Sequence, residues 1–221
     1  MNHETRSPKE GNIKRRMLLV IGIILLAMLV LLVVATVLQK VLDKKQNETP
    51  QDSTPQTIIF YTPDYDEDIT KDPSYMQLDR SIYYADATTG VTVSLDEETY
   101  GEHGEATELL CRMIRSVIAG DHTAYNKLFS REYLSVVDEK DTFTPQKLYN
   151  ITLTYQSSES VEENGLKFDR YYYTVEYMIY KNNGTFRTDV GSDAIRKQTV
   201  VITNREGECL IDAVSTHSYS Y

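Results

Sequence analysis

The sequence predicts an α+β domain carried on a single membrane-spanning helix. Three observations point there: an uncharged run of 22 residues near the start, a long stretch with the apolar spacing of a helix, and a later series of alternating apolar runs. Helices first and antiparallel strands after them give two or three helices packed on one face of a curved sheet. Residues 96–221 suffice to bury a core without metal or disulfide support, as single domains of roughly 100–150 residues do.

The anchor is the clearest element. Met17–Leu38 contains no charged residue. As a helix rising about 1.5 Å per residue it spans about 33 Å, against a hydrocarbon core of about 30 Å. A cleaved signal peptide would have a shorter apolar run, about 7–15 residues, and a small-x-small site after it. Gln39–Lys45 offers no such site. Arg6, Lys9, Lys14, Arg15 and Arg16 precede the span, whereas Lys40, Lys44 and Lys45 follow it. The positive-inside rule therefore places residues 1–16 in the cytoplasm and the C-terminal domain outside it. The expected location is the cell membrane, with the lipid bilayer a partner through residues 17–38.

Charge divides at the membrane. The whole chain has 23 Lys and Arg against 33 Asp and Glu, a net of −10. Residues 1–45 carry eight basic and three acidic residues, and residues 46–221 carry 15 and 30, so the two parts stand at +5 and −15. A nucleic-acid partner is excluded, because neutralising phosphates needs a basic face.

Residues 39–95 read as a stalk. Pro50, Pro55, Pro63 and Pro73 fall here among repeated Gln, Thr and Asp, a composition that favours an extended, self-repelling chain. The cluster Asp64-Tyr65-Asp66-Glu67-Asp68 invites comparison with a calcium loop. An EF-hand starting at Asp64 needs Gly at its sixth place and Glu at its twelfth, where Ile69 and Tyr75 stand. A solvated acidic linker explains it better. Ser81–Ala85 and Gly90–Leu95 are apolar enough to add an edge strand or to wrap around the domain.

Regular structure is expected from Glu105. Ala106, Leu109, Leu110, Met113, Ile114, Val117 and Ile118 form one apolar stripe, with Glu108, Arg112, Arg115 and Ser116 opposite. Gly120 supplies the stop, and Asp121 caps a second helix running through Phe129. Thr144-Pro145 signals a third, a cap residue followed by proline at the first helical position. Ile151, Leu153 and Tyr155 then alternate with polar residues. In the run Phe168–Lys181, Tyr171, Tyr173, Val175, Tyr177 and Ile179 share a face. Asn182-Asn183-Gly184 is a hairpin-type turn. Further strands are expected at Thr185–Asp189, at Arg196–Thr203 and, after the turn Asn204–Gly207, at Glu208–Thr216.

This order resembles the NTF2-like (cystatin-type cone) superfamily over about residues 96–221. The resemblance rests on the long helix, the Gly120-Asp121 break, a short helix ending in Leu128-Phe129-Ser130, and long paired strands. The layout of short tail, single span and exported domain also looks like the VirB8-type assembly factors of conjugation and secretion machines. Two functions are implied. One is a binding or assembly module with protein partners in a cell-envelope complex. The other is a small-molecule-binding, isomerase- or dehydratase-type domain using the cone interior. Fold analogy does not choose between them.

Candidates for chemistry belong on the inward faces. No nucleophile elbow, phosphate loop or His-Glu-x-x-His spacing occurs, so no catalytic residue, metal site or cofactor is expected. His103 precedes the first helix and His122 follows the Asp121 cap; His217 alone falls near a cone. Glu176 and Asp212 alternate against apolar neighbours, as solvated outer-face carboxylates do. Among 17 tyrosines, Tyr171, Tyr173 and Tyr177 share a strand face and with His217 form the candidate ligand-binding set. Strand propensity explains the same tyrosines without a ligand. Tyr172 and Tyr180, on the other face, would offer a protein-contact surface if exposed. Cys111 and Cys209 are either a helix-to-sheet disulfide, stabilising by a few kcal/mol, or two separate core thiols.

Overall fold

The computed structural model describes residues 57–216 apart from Asn164. The expected cytoplasmic tail and span at 17–38, the first part of the expected stalk and His217 lie outside the described residues. Among the described residues, no helix is long and apolar enough to cross a membrane.

The apolar stripe forms α1, Glu105–Ala119. Leu109, Leu110, Cys111, Ile114 and Val117 are fully enclosed. Glu105 and Glu108 lie in the first turn, where carboxylates favour the helix dipole. Ser116, expected on the polar side, is buried and donates to the Met113 carbonyl. The helix ends at Gly120, left-handed at φ 71°. A Cβ at this residue would stand 2.7 Å from the Pro145 nitrogen. Only glycine satisfies both the backbone and its neighbour.

Two short helices follow. In α2, His122–Asn126, the Asp121 carboxylate accepts from the Ala124 N–H at 2.8 Å, as a cap should. The helix stops short of the expected Phe129 because the sheet claims the next backbone groups. Ile211 donates to the Leu128 carbonyl, and Ser130 donates to the Ile211 carbonyl. Ser130 then caps α3, Arg131–Leu134, which the sequence did not signal.

The sheet has six strands in the order β2-β1-β3-β4-β5-β6. These are β1 Ile82–Asp86, β2 Thr92–Leu95, β3 Leu148–Glu163, β4 Leu166–Ile179, β5 Gln198–Arg205 and β6 Glu208–Thr216. The fold is α+β, but the sheet is mixed where an antiparallel one was expected. β1 runs parallel to β3, pairing Ile82 with Ile151 and Asp86 with Tyr155. β1 and β2 form the edge hairpin that residues 81–95 left open between edge strand and wrap. The β5–β6 turn lies where Asn204–Gly207 placed it, with Glu206 and Gly207 both at positive φ, as tight hairpins require.

Two expected elements are absent, each displaced by buried polar contacts. Thr144-Pro145 starts no helix. The Gln146 amide, almost fully enclosed, donates to the Thr144 carbonyl and to the Thr185 hydroxyl, and its backbone N–H donates to the Val117 carbonyl. Thr185–Asp189 is no strand either. The buried Asn182 amide donates to the Arg187 and Val190 carbonyls, holding residues 182–190 as an irregular loop. Asn182-Asn183-Gly184 therefore opens a long connection to β5 in place of a tight hairpin.

The expected stalk also needs correcting. From Thr57 the chain belongs to the same compact unit as the sheet. Ile69 and Tyr75, the two residues that break the calcium-loop pattern, are both buried. The Tyr75 hydroxyl donates to the Leu148 carbonyl at 3.0 Å. Beside it, Lys147, only 5% exposed, reaches Glu67 at 2.5 Å and Asp72 at 2.9 Å. Lys181 holds the same Asp72 at 3.2 Å. Acidic residues that look like a solvated linker are partly a clasp.

Gly120→Ala is expected to lower stability by more than the about 1–2 kcal/mol that left-handed backbone alone costs an L-residue, because of the Pro145 contact; urea unfolding measures it. Lys147→Met is expected to cost about 3 kcal/mol, the low end for breaking a buried ion pair, because Asp72 keeps Lys181 and Glu67 stays partly in water. Asp72 also sets a pH dependence. The hydrogen bond from Lys147 holds its carboxyl well below the usual carboxylate range. That stabilisation is complete above about pH 4 and is lost as the pH falls further. Unfolding midpoints taken across the acid range should therefore fall less steeply in Lys147→Met than in the parent protein.

Candidate functional site

The tyrosine face of β4 forms as its alternation dictates. Tyr173, Val175, Tyr177 and Ile179 are buried on the α1 side and Tyr171 is half-buried. Tyr171 and Tyr173 come together with Tyr84 of β1 and Tyr155 of β3 around a cavity of about 230 Å³ at the start of α1. His103 closes it, stacked on Tyr84 at 4.1 Å. The Tyr173 and Thr107 hydroxyls share a hydrogen bond of 2.9 Å. Burial pushes the Tyr84, Tyr171 and Tyr173 phenols above their ordinary range. They are neutral hydrogen-bonding groups near neutral pH.

The structure does not gather the whole expected set. Tyr177 lies apart from this cavity. Its hydroxyl donates to Gln198 at 3.0 Å and faces the Arg187 guanidinium, which is itself paired with Asp189. His217 lies outside the described residues. Elsewhere the space between α1 and the sheet is filled by Leu109, Leu110, Ile114, Ile151, Ile202 and Ile211.

The remaining candidates are accounted for locally. Cys111 and Cys209 are both free and buried, which corrects the disulfide and leaves two core thiols. Burial pushes the Cys111 thiol up to about 12 and the Cys209 thiol up to about 11, so neither is a ready nucleophile. Glu176 pairs with Lys197 at 2.9 Å. Asp212 is less solvated than expected. One of its oxygens approaches Arg205 at 3.7 Å, while the other is enclosed without a hydrogen bond among the described residues. Tyr172 and Tyr180 are half-buried, and the Tyr172 hydroxyl donates to Glu159 at 2.6 Å. Together they do not make an open aromatic patch.

The larger concavity is on the other flank of α1. A groove of about 790 Å³ runs between the C-terminal half of α1, the start of α2 and the β1 end of the sheet. Its apolar lining comes from Ile82, Leu95, Ile118 and Leu128. Arg80, Arg112, Arg115 and Lys127 surround it, all exposed. Arg115 pairs with Glu97 and donates to the Tyr100 hydroxyl. Arg112 and Lys127 make no ion pair among the described residues. Asp121, the acidic residue of the lining, already caps α2. Arg80, Arg112 and Lys127, three cations without an ion pair among the described residues, beside an apolar floor suit a ligand that is anionic and partly apolar, bound by charge-assisted hydrogen bonds.

Sequence reasoning missed this groove. Arg112 and Arg115 read as the polar side of a helix, Lys127 as part of a second helix, and Arg80 as stalk. The available signal was the i, i+3 pair of arginines in a segment carrying twice as many acidic as basic residues.

Compared with known protein families and with curated proteins, the chain matches no family model and no curated relative.

One prediction tests the tyrosine cavity. Thr107→Val is expected to cost about 1–3 kcal/mol, because it leaves the buried Tyr173 hydroxyl unpaired, and Tyr173→Phe less, because the Thr107 hydroxyl keeps its bond to the His103 carbonyl. The double variant should cost clearly less than the two single losses added, as a double-mutant cycle of unfolding measures.

Proposed function

We propose that the chain is a single-pass membrane protein whose extracytoplasmic, NTF2-like domain is a binding or assembly module of a cell-envelope complex. In this reading residues 17–38 anchor it, residues 1–16 stay in the cytoplasm, and the domain receives an anionic segment of a protein partner in the groove beside α1. A role related to conjugation or secretion fits the VirB8-like layout.

The observation that carries the proposal is the basic-rimmed groove on an otherwise acidic domain. Electrostatic complementarity of this kind steers encounter and sets register. Its apolar floor supplies the non-directional part of the affinity. The anchor and the charge split of the sequence support the location.

The alternative, a small molecule held or converted in the interior, has the tyrosine cavity as its site. That space is below the about 300–1,000 Å³ of ordinary ligand pockets, and its Tyr173 hydroxyl is already bonded to Thr107. The groove is therefore the better-supported site.

The expected outcome is specific. Photo-crosslinking from Ala119, which lines the groove, should give defined protein adducts in intact membranes. Arg112→Glu with Lys127→Glu should abolish them, whereas crosslinking from the outward Glu206 should give none. Recovery of the uncrosslinked protein alone from every groove position would overturn the proposal.

A further inference from the structure

The tyrosine cavity at the start of α1 has a chemistry that the groove lacks. Tyr155 of β3 pairs directly with Tyr173 of β4. Tyr171 stands two residues along β4, and Tyr84 two residues before Asp86, the β1 partner of Tyr155. A bulge after Tyr155 puts the small Ser158 opposite Tyr171, and the Tyr155 hydroxyl donates to its Oγ at 2.9 Å. The Thr107 hydroxyl donates to the His103 carbonyl, so it accepts from the Tyr173 hydroxyl. With those two hydroxyls committed, Tyr155 and Tyr173 offer the cavity their rings, which meet at 67° with centroids 5.6 Å apart. No Lys or Arg is among the lining residues, whereas the exposed Glu105 is. Its carboxylate accepts from the Asn204 amide at 2.8 Å and makes no ion pair among the described residues. The N-terminus of α1 contributes about half a positive charge, which the carboxylates of Glu105 and Glu108 in the same turn exceed.

We propose that this cavity is a cage for a quaternary ammonium group such as that of choline. Aromatic rings attract a cation within about 6 Å of the ring centroid through the negative face of their quadrupole, most strongly where water is excluded. Tyr84 and Tyr173 are buried, and Tyr155 and Tyr171 are half-buried, so a cation seated among them sheds most of its water. A trimethylammonium group has a spread-out charge and no N–H. It therefore needs ring faces and a carboxylate rather than hydrogen-bond acceptors. The volume of about 230 Å³ is the room of about seven or eight waters at roughly 30 Å³ each. That is small for an ordinary ligand pocket and ample for a cationic headgroup. An anion would meet Glu105 with no Lys or Arg to offset it. The shared chemistry is the quaternary ammonium, whether free in solution or carried by a phosphatidylcholine headgroup. The site stands on the tyrosine cavity alone and is independent of the groove.

The test is a calorimetric titration of the full chain, held in a maltoside detergent that carries no ammonium group. The probes are choline chloride and dimethylbutanol, its uncharged isostere with carbon in place of nitrogen. Choline should bind saturably and at least about tenfold more tightly than the isostere. Tyr155→Leu and Tyr171→Leu should each weaken choline binding by about tenfold, because each removes one ring face. Tyr155→Phe keeps the ring and should keep the affinity, and Glu105→Gln should lower it by about threefold. A native circular dichroism spectrum checks that each variant folds. Short-chain phosphatidylcholine that displaces choline, where the matching phosphatidylglycerol does not, assigns the site to a lipid headgroup. Failure of both to displace it assigns the site to a free cation, and either result supports the cage. Equal affinity for choline and the isostere would overturn it, as would choline binding unchanged in both leucine variants or no saturable choline binding at all. Each of those failures would leave the groove's role standing.

Discussion

Leu109, Leu110, Ile114 and Val117 of α1 share one core with Ile151, Leu153, Val175, Val200, Ile202 and Ile211 of the sheet, and each large side chain so removed from water is worth roughly 1.5–3 kcal/mol. This packing fixes the rotation of α1 about its axis, and nearly every other feature inherits from it. With the apolar stripe held down, Arg112 and Arg115 must face outward toward the β1 end of the sheet, where they border the groove. The same placement brings Thr107 over Tyr173 and closes the tyrosine cavity at the other end of the helix. It also sets Gly120 against Pro145, so the chain leaves α1 along a path that no residue with a side chain could follow without a shift.

Buried polar groups then decide what hydrophobic patterning leaves open. Gln146, Lys147, Asn182 and Arg187 are all nearly or fully enclosed, and each must find partners, because an unmatched buried polar group costs several kcal/mol. Lys147 finds its partners far back along the chain, whereas Asn182 and Arg187 bond largely within their own loop. Lys147 reaches back 80 residues to Glu67, and Lys181 reaches back 109 to Asp72. These contacts fasten residues 57–80 onto the domain and keep residues 182–190 irregular. Local preferences for a helix at Thr144-Pro145 and a strand at Thr185–Asp189 are weaker, at well under 1 kcal/mol per residue, and they lose.

The legible parts were those governed by neighbours in sequence. The stripe of α1 and its Gly120 stop, the Asp121 cap, the alternation of β4 and the turn at Glu206-Gly207 all follow from periods and backbone conformations spanning a few residues. The site was half legible. Tyr171 and Tyr173 could be assigned to one inward face, but Tyr84 and His103 join them only through the parallel pairing of β1 with β3. Tyr177 shares the strand parity yet lies farther along β4, beside Arg187. Parity gives the face of a residue and not its neighbours across the sheet.

By itself the sequence settles the extent of α1 and the inward face of β4, the uncharged run at 17–38 and the separation of basic from acidic charge, because these depend on composition and short-range spacing. Tertiary structure alone decides that acidic residues near Asp72 clasp a buried lysine, that Arg80 and Lys127 border one groove, and that Tyr84 and His103 close the tyrosine cavity. Each of those outcomes requires chain segments dozens of residues apart to meet. The free energy that brings them together comes from burying a shared core, which leaves no local mark on the residues it gathers.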